Sequence, residues 1–172
     1  MIARATDLRV EILAGSLVLS RTDCRTRAAV ARDLADRIAQ HATVVEAPSV
    51  RIPMDPDDFA VPDLAVLVDG VETRERTIRT QDIALAVEIV PRQEKSREFG
   101  RKSDWYAVAH VRALLVVDPR HGTWALHTAP DGARYRRTRP GTYGEAVPLP
   151  EPSALDLVTG ALAVYGEAGG SV

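Results

Sequence analysis

The stretch Ile83-Ala84-Leu85-Ala86-Val87-Glu88-Ile89-Val90 decides the fold of this chain. It is apolar apart from Glu88, and a short run rich in branched residues predicts a strand buried on both faces, as in α/β proteins. Side chains alternate along a strand, so Glu88 shares a face with Ala84, Ala86 and Val90. A buried carboxylate is costly unless it is paired or coordinated, and the alanines leave room beside it. The stretch therefore predicts either a metal or catalytic site at Glu88, or an edge strand whose acid faces water.

The length and composition of the chain indicate which class of protein it belongs to. The chain has 172 residues, of which 45% are hydrophobic and 27% charged, as is typical of a globular domain with a sizeable core. We expect a single α/β domain over residues 1–172, with its core at about 9–150 and a frayed tail at 166–172. The formal net charge of −2 is not that of a globally basic nucleic-acid binder, so any DNA contact requires a local basic patch.

Cysteine usage and the N-terminal residues bear on the cellular compartment. The single cysteine, Cys24, excludes an internal disulfide and a cysteine-based zinc cluster. Residues 1–7 lack the apolar core of a secretion signal, and the longest apolar runs are too short to span a membrane. We therefore expect a cytoplasmic protein without a membrane partner, and the abundance of Ala, Arg and Val is typical of a high-GC bacterial genome.

Other patterns predict the elements around the central strand. Apolar runs at 64–68 and 112–117 predict two further buried strands. The remaining predicted elements are a β-hairpin over 9–20, a helix from a cap at Thr22 or Asp23 to about Gln40, short strands at 43–46 and 50–52, loops over 54–60 and 69–81, a helix over 93–110, a hairpin around Pro130-Asp131-Gly132 and a terminal helix over 154–165.

The helix that follows the Glu88 strand carries a second anomaly. Phe99, Lys102, Tyr106 and Ala109 fall three or four residues apart and so share one face, and the two aromatic residues indicate that this face is inward. Lys102 then projects from the packed side toward the sheet, whereas Tyr106 is expected in the core. The alternative is that Lys102 buries only its aliphatic stem and keeps its ammonium in water.

Asp63 adds a second carboxylate to the same region. It stands directly before the strand at 64–68, and if that strand pairs with the Glu88 strand, the two acids converge. Two oxygen donors suit Mg²⁺, which keeps part of its water shell. A nearby ammonium from Lys102 could orient or deprotonate an attacking water, or steady the charge on a phosphate. Together these residues predict phosphodiester hydrolysis.

The same residues carry a family resemblance. The order Asp63, Glu88, Lys102 on an α/β scaffold resembles the PD-(D/E)XK nucleases, and Pro62-Asp63 is similar to their Pro-Asp element. The segments that resemble the Uma2 family (DUF820) are Glu11-Ile12-Leu13-Ala14-Gly15, Val87-Glu88-Ile89-Val90, Arg97-Glu98-Phe99-Gly100-Arg101-Lys102, Trp105-Tyr106-Ala107 and Leu115-Val116-Val117-Asp118-Pro119. The resemblance runs from about residue 9 to about residue 140.

The resemblance implies a restriction-endonuclease-like fold, with a mixed central sheet flanked by helices and an N-terminal β-hairpin. It also implies a Mg²⁺-dependent endonuclease acting on DNA, with Mn²⁺ as a substitute. Asp63 and Glu88 would be the metal ligands, Lys102 the catalytic lysine that has moved from strand to helix, and Glu11 an auxiliary carboxylate. A homodimer would fit by analogy, because double-strand cutters often pair two active sites.

Departures from the family pattern keep a second hypothesis open. The Ser-Pro after Glu-Val is absent, Ala14 replaces the acid of the hairpin turn, Glu98 stands where aspartate is commoner, and the histidine that often opens the first long helix is missing. A nuclease-fold module with weak or lost activity, which binds nucleic acid or a protein partner, is therefore the alternative to an active enzyme.

The most basic segment predicts a nucleic-acid contact. Arg134, Arg136 and Arg137, followed by Arg139, could grip a phosphate backbone, and an ordinary solvated strand is the alternative. Other site types find no support, because the sequence has no paired zinc ligands on a helix, no Gly-x-Ser-x-Gly motif and no glycine-rich phosphate loop.

Overall fold

The fold is described from a computed structural model, over residues 8–22, 24–53, 55–73, 76–93 and 96–166. The helices are α1 (Arg25–Ile38) and α2 (Ser96–Val108), with a short 3₁₀ helix at Thr80–Asp82. The strands are β1 (Leu8–Leu13), β2 (Ser16–Arg21), β3 (Val44–Glu46), β4 (Ser49–Ile52), β5 (Asp55–Ala60), β6 (Leu64–Leu67), β7 (Thr77–Arg79), β8 (Ile83–Ile89), β9 (Ala113–Asp118), β10 (Thr123–Pro130), β11 (Tyr135–Thr142), β12 (Val147–Pro148) and β13 (Asp156–Leu157). In the part of the chain given above, neither helix has the length and apolar character needed to cross a membrane.

The larger sheet is built around β8. Its strand order is β11-β10-β9-β8-β6-β3, and every residue of β8 is buried. The strand pairs in parallel with β9 and antiparallel with β6, so the sheet is mixed. The prediction of a strand buried on both faces is confirmed, and an edge position for Glu88 is wrong. The cost of burying the acid must therefore be offset by neighbouring groups.

The smaller sheet places the N-terminal hairpin beside the larger one. Its order is β2-β1-β5-β4-β7, and its one parallel pair, β4 with β7, makes it mixed as well. The hairpin turn has positive φ at both Ala14 (49°) and Gly15 (72°), which is the conformation that matches the twist of two paired strands. Along β1, Arg9, Glu11 and Leu13 point to one side and alternate with more exposed neighbours. The predicted mixed α/β fold with an N-terminal hairpin is confirmed.

Two apolar clusters cover the two faces of β8. One joins Leu85, Val87 and Ile89 of β8 to Leu34 and Ile38 of α1. The other joins Ala86 of β8 to the aromatic rings of Trp105 and Tyr106 on α2. The aromatic rings therefore fill the space that the small alanine leaves, whereas a small cavity lined in part by Glu88 keeps some of the predicted room beside the acid.

Four local predictions differ from the structure. Within the predicted loop over 69–81, residues 77–79 form β7, because they pair in parallel with β4. Residues 55–60 form β5 rather than a loop, because pairing with β4 and β1 uses their backbone hydrogen-bonding groups despite the acidic composition. No helix forms over 154–165, where turns and the short β13 seat Leu157 and Leu162 in the cluster beneath α1. Helix α1 has Cys24 at its N-cap position, without a side-chain cap, so Thr22 is not the cap. Asp23 and the predicted frayed residues 167–172 lie outside the described residues.

Gly141 on β11 permits a close approach of the buried Trp124 ring from β10. A β-carbon at Gly141 would overlap the indole, whose Nε1 donates a hydrogen bond to the carbonyl oxygen of Thr142 at 3.1 Å. We expect Gly141→Ala to lower the free energy of unfolding by about 1–3 kcal/mol, since the ring must shift in a packed core. Urea unfolding of the variant and of Gly144→Ala, which has open space at the β-carbon but a positive φ, would separate overlap from backbone strain. An unchanged stability in Gly141→Ala would contradict this packing account.

Candidate active site

The pairing of β6 with β8 brings Asp63 to Glu88. Leu64 lies opposite Val87 in the antiparallel register, so Asp63, one residue before β6, lies beside Glu88. The backbone N–H of Ile89 donates a hydrogen bond to Oδ2 of Asp63 at 2.7 Å. Both acids are buried, with 6% of Asp63 and 2% of Glu88 exposed. The strand pairing on which the convergence of the two acids depended is present, and it places two carboxylates in one buried region.

Helix α2 brings two donors to Glu88. The ammonium of Lys102 lies 2.8 Å from Oε1 of Glu88, and the hydroxyl of Tyr106 donates a hydrogen bond of 2.5 Å to the same oxygen. Lys102 is 9% exposed and Tyr106 is fully buried, so the alternative in which the Lys102 ammonium stays in water is wrong. Tyr106 lies in the core as predicted, but it also binds the acid, which the aromatic spacing alone did not indicate.

Strand β1 supplies a third carboxylate, Glu11. Its Oε1 lies 2.7 Å from the ammonium of Lys102 and accepts a 2.6 Å hydrogen bond from the backbone N–H of Val61. Lys102 therefore bridges Glu11 and Glu88, which come from two different sheets. This bridge connects the hairpin, the central strand and α2 at one point.

Two arginines that the sequence reasoning missed bind Asp63. Arg27 of α1 forms a bidentate ion pair with Asp63, in which Nε donates to Oδ1 at 3.0 Å and Nη2 donates to Oδ2 at 3.1 Å. Nη2 of Arg9 on β1 lies 3.0 Å from Oδ1. A signal for Arg27 was present, because it continues the buried stripe of Val30, Leu34 and Ile38 by one turn. Arg9 similarly shares the inward side of β1 with Glu11.

These six side chains, which we call the charged cluster, balance in formal charge. The charged cluster consists of Arg9, Glu11, Arg27, Asp63, Glu88 and Lys102. Three carboxylates face three cations, so the ionised cluster carries no net formal charge. Such balance lets charged groups stay buried, whereas removing one partner leaves a costly unpaired charge.

The two neighbouring acids have opposite pKa shifts. Burial raises the pKa of Asp63, but the charges of Arg27 and Arg9 and the hydrogen bonds from Arg27 and the Ile89 N–H outweigh it, so the pKa lies below its ordinary value. For Glu88, burial dominates, and the nearby Asp63 and Glu11 oppose the influence of Lys102, so the pKa is raised. Asp63 is therefore held as a carboxylate more firmly than Glu88.

Burial also sets the pKa shifts of the two donors on α2. It lowers the pKa of Lys102, but the charges of Glu88 and Glu11 outweigh that effect and the net shift is upward. The pKa of Tyr106 is raised well above its ordinary value by burial and by the same two carboxylates. At neutral pH, both groups keep their protons and act as hydrogen-bond donors.

Two cavities reach the charged cluster from different sides. One of about 50 Å³ is lined by residues that include Glu11, Glu88 and Lys102, and one of about 180 Å³ is lined by residues that include Arg9 and Asp63. Arg27 lines both cavities. The smaller cavity has room for about one water molecule, and the larger one can admit a small polar group.

The donors in the charged cluster suit a hard divalent cation in their chemistry. Carboxylate oxygens are what Mg²⁺ prefers, and it commonly takes only one or two of them together with water and substrate phosphate. Within the described ranges, no group of three or more His, Cys, Asp or Glu side chains could by itself hold a metal ion. The fit is therefore to an ion held by few protein ligands, with Asp63 and Glu88 as neighbouring donors.

The predicted nucleic-acid residues lie at the far edge of the larger sheet. Arg136 and Arg137 are exposed on β11, Arg134 is exposed just before it, and Arg136 forms an ion pair with Asp131. The cross-strand register runs from Glu88 through β9 and β10 to β11, a span of about 14 Å at three strand spacings. Arg137 and Arg139 lie opposite Thr128 and Leu126, which places both on the face that packs under α1, away from Glu88. Arg136, between them, points to the other face. The arginines thus do not share one face.

Comparisons with known proteins agree with this architecture. Residues 1–163 match the model of the Uma2 family, described as "Putative restriction endonuclease". The fold is similar to the crystal structure of "a putative nuclease belonging to DUF820" from Anabaena variabilis ATCC 29413, with a TM-score of 0.71 and 15% identity over 89% of this chain and 88% of that one. No curated protein matches the chain. Since the family model covers nearly all of the sequence, the chain belongs to the Uma2 (DUF820) family of restriction-endonuclease-like proteins.

Proposed function

We propose that this protein is a divalent-cation-dependent endonuclease that hydrolyses phosphodiester bonds in DNA. The observation that carries the proposal is the buried ammonium of Lys102, held between Glu11 and Glu88, with Asp63 beside Glu88 on the neighbouring strand. A structural core has little need for this arrangement, because an apolar replacement of buried charges is often as stable. Buried, charged and cavity-lining side chains of this kind are typical of catalytic sites.

Asp63 and Glu88 would hold Mg²⁺, with Glu11 as an auxiliary carboxylate. When bound, the ion would supply Lewis-acid activation of water and neutralise charge on the phosphate. Mn²⁺, which takes similar oxygen ligands, would substitute. The family to which the chain belongs supports this choice of chemistry, and its description supports DNA as the substrate.

The chain's own residues would then have distinct tasks. Lys102 lines the smaller cavity, and its ammonium could donate a hydrogen bond that orients a water molecule or stabilises charge on a phosphate oxygen. Tyr106 holds Oε1 of Glu88 by its hydroxyl, which fixes the direction of the carboxylate. The buried walls exclude bulk water and strengthen these interactions.

Nicking of supercoiled plasmid DNA tests the proposal. We expect conversion to open-circle or linear DNA with Mg²⁺ or Mn²⁺ and none with excess EDTA. Glu88→Gln, which keeps the shape of the side chain, should abolish conversion, whereas Asp104→Asn on an exposed position of α2 should not. Cleavage that persists in EDTA, or that is unchanged in Glu88→Gln, would contradict the proposed function.

One observation favours the second candidate, a nuclease-fold module without turnover. Both oxygens of Asp63 are engaged by arginines, which is also what a purely structural charge cluster would show. The same plasmid assay separates the two, because a binding module would retard DNA in a gel without cutting it. The homodimer stays a prediction, and light scattering of the purified protein would test it.

Substituting Tyr106 by phenylalanine tests the positioning of Glu88. The change removes the hydrogen bond to Oε1 but keeps the buried ring. We expect the free energy of unfolding to fall by about 1.5–3 kcal/mol, as for a lost hydrogen bond to a charged group, together with slower cleavage. The matched control is Tyr135→Phe, which removes a hydroxyl bonded to the carbonyl of Val111 on another part of the sheet. Equal cleavage rates in both variants would contradict a positioning role for Tyr106.

A further inference from the structure

The contacts of Asp63 leave its carboxylate with no free acceptor position. Oδ1 accepts hydrogen bonds from Nη2 of Arg9 and Nε of Arg27, each at 3.0 Å. Oδ2 accepts from Nη2 of Arg27 at 3.1 Å and from the N–H of Ile89 at 2.7 Å. A carboxylate has about four acceptor sites, so these contacts saturate it. A cation can therefore bind Asp63 only after a guanidinium has left.

The charge balance gives a second reason why cation binding is weak in this arrangement. The three carboxylates of the charged cluster are matched by Arg9, Arg27 and Lys102. A divalent cation that approaches Asp63 would be repelled by the two guanidiniums bound to it. The cluster as a whole would not attract the cation, because it has no net negative charge. If one guanidinium moved away, the remaining cluster would carry a net negative charge and attract the cation.

Of the two arginines bound to Asp63, Arg27 has cavities on both sides into which its guanidinium can move. It lines both cavities, and the larger one, of about 180 Å³, is also lined by Arg9 and Arg32, so that three arginines face two acids, Glu46 and Asp63. Among the described residues, the contact of its Nη1 is a long one, 3.4 Å to the carbonyl oxygen of Arg21. An arginine fork matches phosphate as well as carboxylate, so a phosphate in this cavity would compete with Asp63 for it.

We infer that Arg27 is a positioning residue that keeps Asp63 closed to cations until a DNA phosphate draws its guanidinium away. Divalent cation and DNA then bind cooperatively, each favouring the state with Asp63 released. The inference rests on the proposed function and adds a mode of regulation to it. In this exchange, the ion pair between Arg27 and Asp63 breaks, Arg27 binds the phosphate, and Asp63 binds the cation.

Calorimetric titration with Ca²⁺ tests the exchange without relying on cleavage. Ca²⁺ prefers the same oxygen ligands as Mg²⁺. The DNA is a 20-base-pair duplex, and electrophoresis after each titration shows whether it has stayed intact. We expect Arg27→Gln to bind Ca²⁺ about 10- to 100-fold more tightly than wild type without DNA, the range for groups that control a metal ligand. Adding the duplex should tighten Ca²⁺ binding to wild type by a similar factor and leave Arg27→Gln nearly unchanged.

Two further variants separate the exchange from a general charge effect. Arg25→Gln removes the same charge from an exposed position on α1 and should leave Ca²⁺ affinity as in wild type. In Asp63→Asn/Arg27→Gln, the gain should disappear, because the released ligand is gone. If Arg27→Gln does not fold, Arg27→Lys, which cannot form the bidentate ion pair, should shift affinity in the same direction by less.

Reciprocity supplies an independent check, since coupled ligands must change each other's affinity by the same factor. Fluorescence anisotropy of labelled duplex with and without Ca²⁺ should therefore show the same tightening. An Arg27→Gln protein that binds Ca²⁺ no better than wild type, or a wild type whose Ca²⁺ affinity ignores DNA, would overturn the inference. In that case, cleavage of plasmid DNA would still support the nuclease activity. Conversely, coupled binding of Ca²⁺ and DNA without any cleavage of plasmid DNA would support the exchange of partners and contradict the nuclease activity.

Discussion

Replacing Lys102 by methionine is expected to slow DNA cleavage by about 100- to 1,000-fold, the usual effect of removing one preorganised charge-stabilising donor. Methionine keeps an unbranched chain of similar length but has no ammonium to bridge Glu11 and Glu88. A donor from a residue that lines the smaller cavity is then lost, while the size of the side chain is kept as far as possible. Single-turnover cleavage of a labelled duplex, with enzyme in excess, measures the chemical step directly.

The matched control for Lys102→Met is Arg101→Met, on the preceding and exposed position of α2. Both variants lose one positive charge from the same helix, so a general weakening of DNA attraction would affect them alike. We expect the control to cleave at nearly the wild-type rate. Similar rates in the two variants, with folding verified by circular dichroism, would remove Lys102 from the catalytic machinery.

The second large effect is expected in stability, from Asp63→Asn. The variant leaves the buried guanidiniums of Arg9 and Arg27 without their carboxylate, and an uncompensated buried charge costs about 3–5 kcal/mol. Arg27 and Asp63 are both well buried, so solvent screening does little to reduce this cost. Urea unfolding at neutral pH would measure it. The control is Asp33→Asn, whose partner Arg37 is partly exposed and whose ion pair should be worth much less.

The cost of Asp63→Asn should depend on pH with a definite sign. Because the pKa of Asp63 is lower in the folded protein than the ordinary 3.8, the ionised carboxylate stabilises the fold above that pH. The contribution is lost as the pH falls below 3.8 and passes through the folded pKa. The difference in unfolding free energy between wild type and variant should thus be constant from neutral pH to about pH 5 and shrink at lower pH. A difference that grows on acidification would contradict the charge assignment.

The central strand and its acids were predictable because their signal is local. An isolated Glu88 in an apolar run, and Lys102 on the aromatic face of the next helix, are each anomalous in their own segment. The pairing of β6 with β8, a condition that the sequence left open, brought Asp63 to Glu88.

Arg9 and Arg27 each fall on the inward side of their element, but this signal is weaker than that of Glu88 or Lys102, since arginines are common on helices and strands. Their meaning arises only from contacts with Asp63, 54 and 36 residues away in sequence. The same holds for β5, where an acidic segment with a proline becomes a strand because β4 and β1 offer partners. At 154–165, the burial of Leu157 and Leu162 under α1 outweighs a helix-like spacing. Long-range contacts decide these cases, and local patterns do not contain them.

Anomalous X-ray diffraction from crystals grown with Mn²⁺ and a DNA duplex tests the central claim most directly. We expect an anomalous peak within coordination distance of carboxylate oxygens from Asp63 and Glu88, with the ammonium of Lys102 nearby. A protein that cleaves DNA in Mn²⁺ but shows its peak elsewhere, or that shows no peak at these two acids, would contradict it.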